Sequence, residues 1–339
     1  MGDLKLGLQL GYWGAGPNPN MVKIAQEAEK LGYDAVFTAE AWGSDVFTPL
    51  AWIGAHTERI RLGTGIAQLS ARAPTATAMA AMTLDHLSGG RVILGLGVSG
   101  PQVVEGWYGQ PFGKPLARTR EYINIIRQVL QRKEPVSNDG EHYPLPYSGE
   151  GAWGLGKPLK SIVHPLREDL PIFLGAEGPK NVTMTAEIAD GWLPLYYSPY
   201  RQEVYADQLK GAKPGFEIMQ GMPVIINDDI EEAVVPLKHS LALYIGGMGA
   251  KSRNFHNELI KRMGFEEAAE KIQDLYLAGK KDEAAQAVPT QLADEIALVG
   301  SVDRIKDRLN AWRDTPVTSL LVSTQSVDEL RTFADLVLG

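Results

Sequence analysis

A parallel (β/α)8 barrel with insertions, an α/β fold, is what this chain predicts, on three observations. About eight apolar runs of strand length recur along it, helical patterns separate them, and 339 residues suit one large barrel. The runs are 4–11 (LKLGLQLG), 35–40 (AVFTAE), 60–67 (IRLGTGIA), 92–98 (VILGLGV), 171–176 (PIFLGA), 191–197 (GWLPLYY), 219–227 (MQGMPVIIN) and 319–324 (SLLVST). Between the first two lies 20–32 (NMVKIAQEAEKLG), with Ile24, Ala28 and Leu31 on one helical face and Gly32 placed as a C-cap. Another helix is expected over 74–87, rich in Ala and Met.

Two stretches break the rhythm. Residues 134–169 are rich in Pro and Gly and carry the hairpin turn signal Asn138-Asp139-Gly140. Residues 246–299 read as one long helical block. With no repeat and no flexible linker, the expected organisation is a single domain over 1–339 with insertions at about 134–169 and 246–299.

Composition narrows the function. The formal net charge of −8 argues against a general nucleic-acid binder, which needs a basic face. No apolar run approaches the ~20 residues that cross a bilayer, and the first residues lack a charged and apolar leader pattern, so a cytoplasmic protein is expected. The absence of cysteine excludes disulfides, thiolate metal sites and a Cys nucleophile. His56, His86, His142, His164, His239 and His256 form no metal-binding pattern, so no metal is expected. There is no GxSxG elbow, since Ser99 sits in GVSGP, and no GxxxxGK[ST] loop.

The densest motif is 86–100, HLSGGRVILGLGVSG: a helix end, a Gly-Gly-Arg turn, then an apolar strand that stops on glycines and Ser99. Glycine at a strand end serves a sharp turn or close approach, which places the segment at a barrel rim. Gly95 to Gly100 spells GxGxxG, yet three strand–helix units precede it, and Pro101, Trp107, Gly109 and Pro111 make a poor helix directly after it. A glycine-lined rim fits better than a dinucleotide fold.

A second motif, 175–181 (GAEGPKN), ends a strand and opens the pattern NVTMTAEIAD. Gly178 frees the backbone, Pro179 suits a first helical turn, and Lys180 adds charge where exposed N–H groups attract an anion. The segment 60–74 runs from Thr64-Gly65-Ile66 into a polar loop with Gln68, Ser70 and Arg72. Glu40 closes the second strand, where barrel enzymes place chemistry, and either catalysis or pairing with a rim arginine would account for it. Trp13 and Trp42 could stack on an aromatic ligand or fill core.

Taken together these motifs resemble the bacterial luciferase-like superfamily, and within it the deazaflavin (coenzyme F420)-dependent oxidoreductases. The likeness runs from GLQLGYW at 7–13 to the last helix, through HLSGGRVILGLGVSG and FLGAEGPKNVTMTAEIADGWLP at 173–194. It implies a barrel that holds a tricyclic ring at its C-terminal mouth. The third strand would end in a non-prolyl cis peptide against the ring, and Gly65-Ile66 falls there. Gln68, Ser99 and Gly100 would contact the ring or its ribityl chain, and Gly178, Pro179 and Lys180 would hold the phosphate. Glu40 falls where relatives carry an acidic residue beneath the ring. The residue that often follows it in the sugar-phosphate dehydrogenases is His, and here it is Ala41, so no catalytic base is assigned; Glu105 is an alternative proton donor.

The resemblance implies an enzyme, an oxidoreductase moving a hydride between C5 of coenzyme F420 and a small organic substrate (alcohol, aldehyde, ketone or activated alkene). Glu40 and Trp42 are its candidate catalytic residues. The alternatives are an FMN-dependent luciferase-like monooxygenase and a non-catalytic cofactor-binding protein. Ala41, Trp42, Tyr108, Trp153, Tyr196 and Tyr197 suggest an apolar or aromatic substrate. No nucleic-acid or membrane partner is expected, and a homodimer is.

Overall fold

In the computed structural model, residues 4–249, 251 and 254–339 are described. Eleven strands occur among them: β1 (Lys5–Gly11), β2 (Ala35–Thr38), β3 (Arg61–Thr64), β4 (Ala67–Gln68), β5 (Val92–Gly97), β6 (Ile172–Gly175), β7 (Gly191–Leu193), β8 (Glu217–Met222), β9 (Val224–Ile226), β10 (Leu298–Gly300) and β11 (Ser319–Val322). Nine form one sheet in the order β3-β2-β1-β11-β8-β7-β6-β5-β4, and β3 also pairs with β5. Strands in this ring with helices between them make a (β/α)8 barrel, the predicted class. β3 and β4 are two halves of one barrel strand, parted at the Gly65–Ile66 peptide bond, which is cis.

Two of the boundary differences from the sequence expectation have a plain cause. The run 219–227 is two strands, because Pro223 lacks the N–H that a continuous ladder needs. In the block 246–299 the last helix ends at Glu295. The block then forms β10, which pairs in parallel with β9; three residues are too few for a periodicity to declare a strand. A third difference follows β5, where the helix Pro101–Gly106 forms directly behind Gly100.

The chain divides into two compact units. The first comprises 10–26 and 35–174 and carries β2 to β5. Every residue of β2 and β5 is buried, and Phe37, Leu62, Ile93, Leu94 and Leu96 join Leu50, Ile53, Tyr122 and Ile126 of the covering helices in its core. The helix Pro74–Ser88 ends on Gly89 at φ +68°, followed by Gly90 at +89°. Both are left-handed positions where a Cβ is strained, which explains the paired glycines of the HLSGGR motif.

The arginine of that motif staples the turn. Arg91 Nε donates to Ser88 O (2.8 Å), Nη1 to Thr57 Oγ1 and Ile60 O (both 3.0 Å), and Nη2 to Gly54 O (2.9 Å) and Thr57 O (3.0 Å). Thr57 is buried, so truncation would take the Arg91 donor from its carbonyl. Arg91→Ala is expected to cost roughly 3 kcal/mol, since each orphaned buried acceptor costs about 1–3 kcal/mol. The check is a lower urea midpoint at unchanged slope.

Within the same unit, 134–169 hangs on Glu121. Its Oε2 accepts from Asn138 Nδ2 (3.3 Å), His142 N (3.0 Å) and Tyr143 N (3.1 Å), and Asn138 bridges antiparallel to Leu145. The second unit comprises 4–9, 27–34 and 175–339 among the described residues and carries β7 to β11. Its core gathers Trp192, Tyr197, Tyr205 and Trp312, all fully buried, with Tyr197 and Tyr205 stacked at 5.9 Å. Among the described residues, no helix is long and apolar enough to cross a membrane.

Candidate active site

In the first unit, the segment after β2 and the one after β4 meet through a buried carboxylate. Glu40 Oε1 accepts from the backbone N of Gln68 at 2.7 Å. Arg72 grips both oxygens, Nη1 to Oε1 at 2.8 Å and Nη2 to Oε2 at 3.0 Å. Such a fork is short, planar and charge-assisted. Burial works against the Arg72 charge, but Glu40, with Asp45 behind it, more than compensates and raises the guanidinium pKa. Arg72 also lies 5.1 Å over the Phe47 ring. Of the two roles open to Glu40 in the sequence, the structure supplies the arginine pair.

Gln68 is the most informative side chain here. Its Nε2 donates to Glu40 O (3.0 Å) and Ala41 O (3.1 Å), which orients the amide. Its Oε1 is buried and has no hydrogen-bond partner among the described residues. A buried acceptor left open costs free energy until a donor meets it. That is a fit for a ligand carrying an N–H or O–H.

The glycines of β5 have a packing cause that the GxGxxG pattern hides. A Cβ on Gly97 would stand 2.8 Å from Ile66 Cγ1, so Gly97 is the floor on which Ile66 rests beyond the cis bond. Leu69 N donates to Gly97 O (3.1 Å), and Glu40 N reaches Ile66 O (3.4 Å). Thus Glu40, Gly65, Ile66 and Gln68 come together. Ser99 follows at φ +59°, a left-handed conformation uncommon for a residue with a Cβ, and such outliers cluster at ligand sites. Gly100 then opens the helix Pro101–Gly106.

Aromatic residues edge this region. Tyr108 Oη donates to Ala41 O (3.2 Å), and Trp13 N donates to Ser44 Oγ (3.2 Å), tying the segments after β1, β2 and β5. Burial, then the Glu40 carboxylate, pushes the Tyr108 hydroxyl pKa up, so it stays a donor. Trp42, Tyr12 and Trp107 are exposed. Trp153, also in this unit, is 90% exposed, while Tyr197 belongs to the core of the second unit. Glu105 is exposed and accepts from Phe112 N at 3.3 Å.

In the second unit, the turn after β6 leads into the helix Pro179–Ile188. Gly178 is its N-cap in extended conformation, Pro179 sits in the first turn, and no side chain caps it. Lys180 is exposed beside these N–H groups, a donor set suited to an anion. Sequence analysis missed the pair beside it: Glu177 Oε2 meets His256 Nδ1 at 2.5 Å. Seventy-nine positions part the two, and no local pattern signals the contact. Arg262 Nη2 donates to Glu177 O (3.1 Å). Among the described residues no group of three or more His, Asp or Glu side chains is placed to hold a metal ion.

Residues 10–319 match the family described as Luciferase-like monooxygenase. A Mycobacterium tuberculosis protein named as a candidate coenzyme F420-dependent oxidoreductase is 55% identical over 343 residues, covering 98% of this chain and 99% of that one. The 5,10-methylenetetrahydromethanopterin reductase of Archaeoglobus fulgidus is 27% identical over 316 residues, covering 89% and 88%. The solved coenzyme F420-dependent tetrahydromethanopterin reductase of Methanopyrus kandleri shares the fold, with a TM-score of 0.78, 22% identity and 99% coverage of both chains. The matched span of 310 residues and the 55% identity make the assignment: the chain belongs to the luciferase-like family, beside members named for coenzyme F420-dependent oxidoreduction.

Proposed function

We propose that the protein is a coenzyme F420-dependent oxidoreductase that moves a hydride to or from a small apolar or aromatic substrate. The names of the similar proteins support the cofactor. The single structural observation that carries the reading is the buried, unpartnered Gln68 Oε1 beside the Glu40–Arg72 fork. Deazaflavin and flavin rings both offer a ring N–H that such an acceptor fits.

When bound, the deazaflavin supplies a ring carbon that exchanges hydride in two-electron steps. The remaining work falls to the chain. Gln68 accepts from the ring, and Glu40 and Arg72 hold Gln68 in place through its backbone N and the carbonyl of Glu40. Gly65, Ile66, Ser99 and Gly100 border the ring and its ribityl chain, and Gly178, Pro179 and Lys180 hold phosphate. Trp42, with Glu40 our candidate catalytic residue, walls the substrate side together with Trp13 and Tyr108 and excludes water, which strengthens every polar contact there. An aromatic wall of this kind suits alcohols, carbonyl compounds or alkenes. In this reading the chain works as one barrel domain with insertions at about 134–169 and 246–299, as a homodimer in the cytoplasm.

The test is a fluorescence titration of the protein with coenzyme F420 and, in parallel, with flavin mononucleotide. Tighter binding of coenzyme F420 is expected. Preference for the mononucleotide would move the function to an FMN-dependent monooxygenase, and binding of neither would remove every cofactor role given above.

A further inference from the structure

The segment 134–169 wears its apolar side chains on the outside. Every residue from 146 to 160 is exposed. Trp153 is 90% exposed, Ile162 94%, Leu155 79% and Leu159 70%, and Tyr147, Val163 and Leu166 are exposed as well. The segment is nonetheless fastened to the first unit, and by its backbone. Val136 N donates to Leu159 O (2.8 Å), Arg132 Nε to Ser161 O (2.7 Å) and His86 Nε2 to His164 O (2.8 Å). Lys160 Nζ donates in return to Lys133 O (2.6 Å). The carbonyls thus turn toward the ends of the helices Pro74–Ser88 and Pro115–Gln131, while the apolar side chains face water. At the first of these helix ends Leu87 is exposed beside His86, and Leu166 Cδ2 lies 3.7 Å from where a Cβ on Gly90 would stand. Leu87 therefore joins Ile162, Val163 and Leu166 in one patch. Ordering chain costs roughly 1–2 kcal/mol of backbone entropy per residue, and residues 146 to 160 recover little of it by burial within their own chain.

We infer that this face docks a second copy of the chain, about a two-fold axis that sets the segment against its own counterpart. The inference rests on the homodimer proposed above and gives it a surface. Area supports it. These side chains offer on the order of 600 Å² of exposed apolar surface, at about 150–250 Å² for an aromatic residue and about 60–120 Å² for an aliphatic one. A stable interface buries about 800 Å² per partner, of which about 65% is apolar in a homodimer. The patch supplies that apolar share, and it reaches the top of the roughly 300–600 Å² range for the largest patch on a monomer. Charge points the same way. Residues 151–166 hold no acidic side chain and carry Lys157 and Lys160, while Glu134, Glu150, Glu168 and Asp169 flank them, all exposed. A two-fold contact lets the apolar centre meet its own kind, with the lysines of one copy facing the acidic flanks of the other. A lipid surface suits the patch less well: two lysines fall short of the roughly four to eight cations that bind anionic lipid, and the net charge of −8 opposes it.

The test is sedimentation equilibrium of the full-length protein at micromolar concentration, beside its Trp153→Ser, Ile162→Asp and Leu277→Ser variants. The original protein is expected to be a dimer. Trp153→Ser should raise the dissociation constant about thirtyfold, the usual worth of a buried aromatic anchor, and Ile162→Asp should raise it at least as much by burying a charge. Leu277, an exposed apolar residue of the second unit, serves as the control, and its variant should dimerise as the original does. All three side chains are exposed, so an unchanged far-ultraviolet circular dichroism spectrum should accompany each substitution. A dimer unaffected by Trp153→Ser and Ile162→Asp would overturn this surface and leave the homodimer standing on another face. A monomeric original protein would overturn both. If that monomer co-sediments with vesicles of phosphatidylcholine and phosphatidylserine, and Trp153→Ser abolishes the binding, the face belongs to lipid instead.

Discussion

Asp85→Ala is expected to cost roughly 3–5 kcal/mol of unfolding free energy, the usual consequence of removing one partner from a buried ion pair. Asp85 is 1% exposed. Its Oδ2 accepts from Arg167 Nε (3.0 Å), and its Oδ1 accepts from Arg167 Nη2 and from Val92 N (3.1 Å). Arg167 Nη2 also donates to Val92 O (2.9 Å). The end of the helix Pro74–Ser88, the start of β5 and the end of the 134–169 segment thus share one fork. Without the carboxylate, a half-buried guanidinium and the Val92 N–H lose their acceptor together. At roughly 1.4 °C per kcal/mol for a chain of 339 residues, the melting temperature should fall by about 4–7 °C. Asp85→Ala with Arg167→Leu should recover part of the loss, because the uncompensated cation is gone. A loss below about 1 kcal/mol would mean that water screens the pair as it does at a surface.

Arg72→Met is expected to lower both stability and ligand affinity. Glu40 would keep only the Gln68 N–H, and its second oxygen would be buried without a donor. The cost is about 3 kcal/mol by the same reasoning. The functional loss follows from Gln68, whose amide hangs on the carbonyls of Glu40 and Ala41. Once Glu40 shifts, Gln68 Oε1 no longer holds its position, and coenzyme F420 affinity should drop about tenfold, the worth of one well-placed buried hydrogen bond. Arg72→Met with Glu40→Gln separates the effects. Stability should return toward the original because no charge is left buried, whereas affinity should not. Restoration of both would show that Arg72 serves the fold alone.

Much of this architecture is legible along the chain. The eight barrel strands are found because burial on both faces demands continuous apolar residues, and the Gly-Gly-Arg turn because only glycine takes two successive left-handed positions there without strain. Of the proposed rim residues, Glu40, Ser99 and Gly100 stand out along the chain because they end strands, where a barrel meets its ligands; a ligand role for Gly65, Ile66 and Gln68 comes from the family resemblance. Short or interrupted strands resist such reading: β10 has three residues, and Pro223 splits the run 219–227.

What the chain determines alone is therefore local: the alternation of strand and helix, the turns, and which residues stand at strand ends. These depend on neighbours within a few positions, where periodicity and backbone freedom act. Tertiary structure alone decided which distant groups answer one another. It gave Glu40 to Arg72, left Gln68 Oε1 open, set Ile66 on Gly97, and brought His256 to Glu177. Each of these depends on the distance and direction between side chains far apart in sequence, and a carboxylate is the same letter whether paired or free.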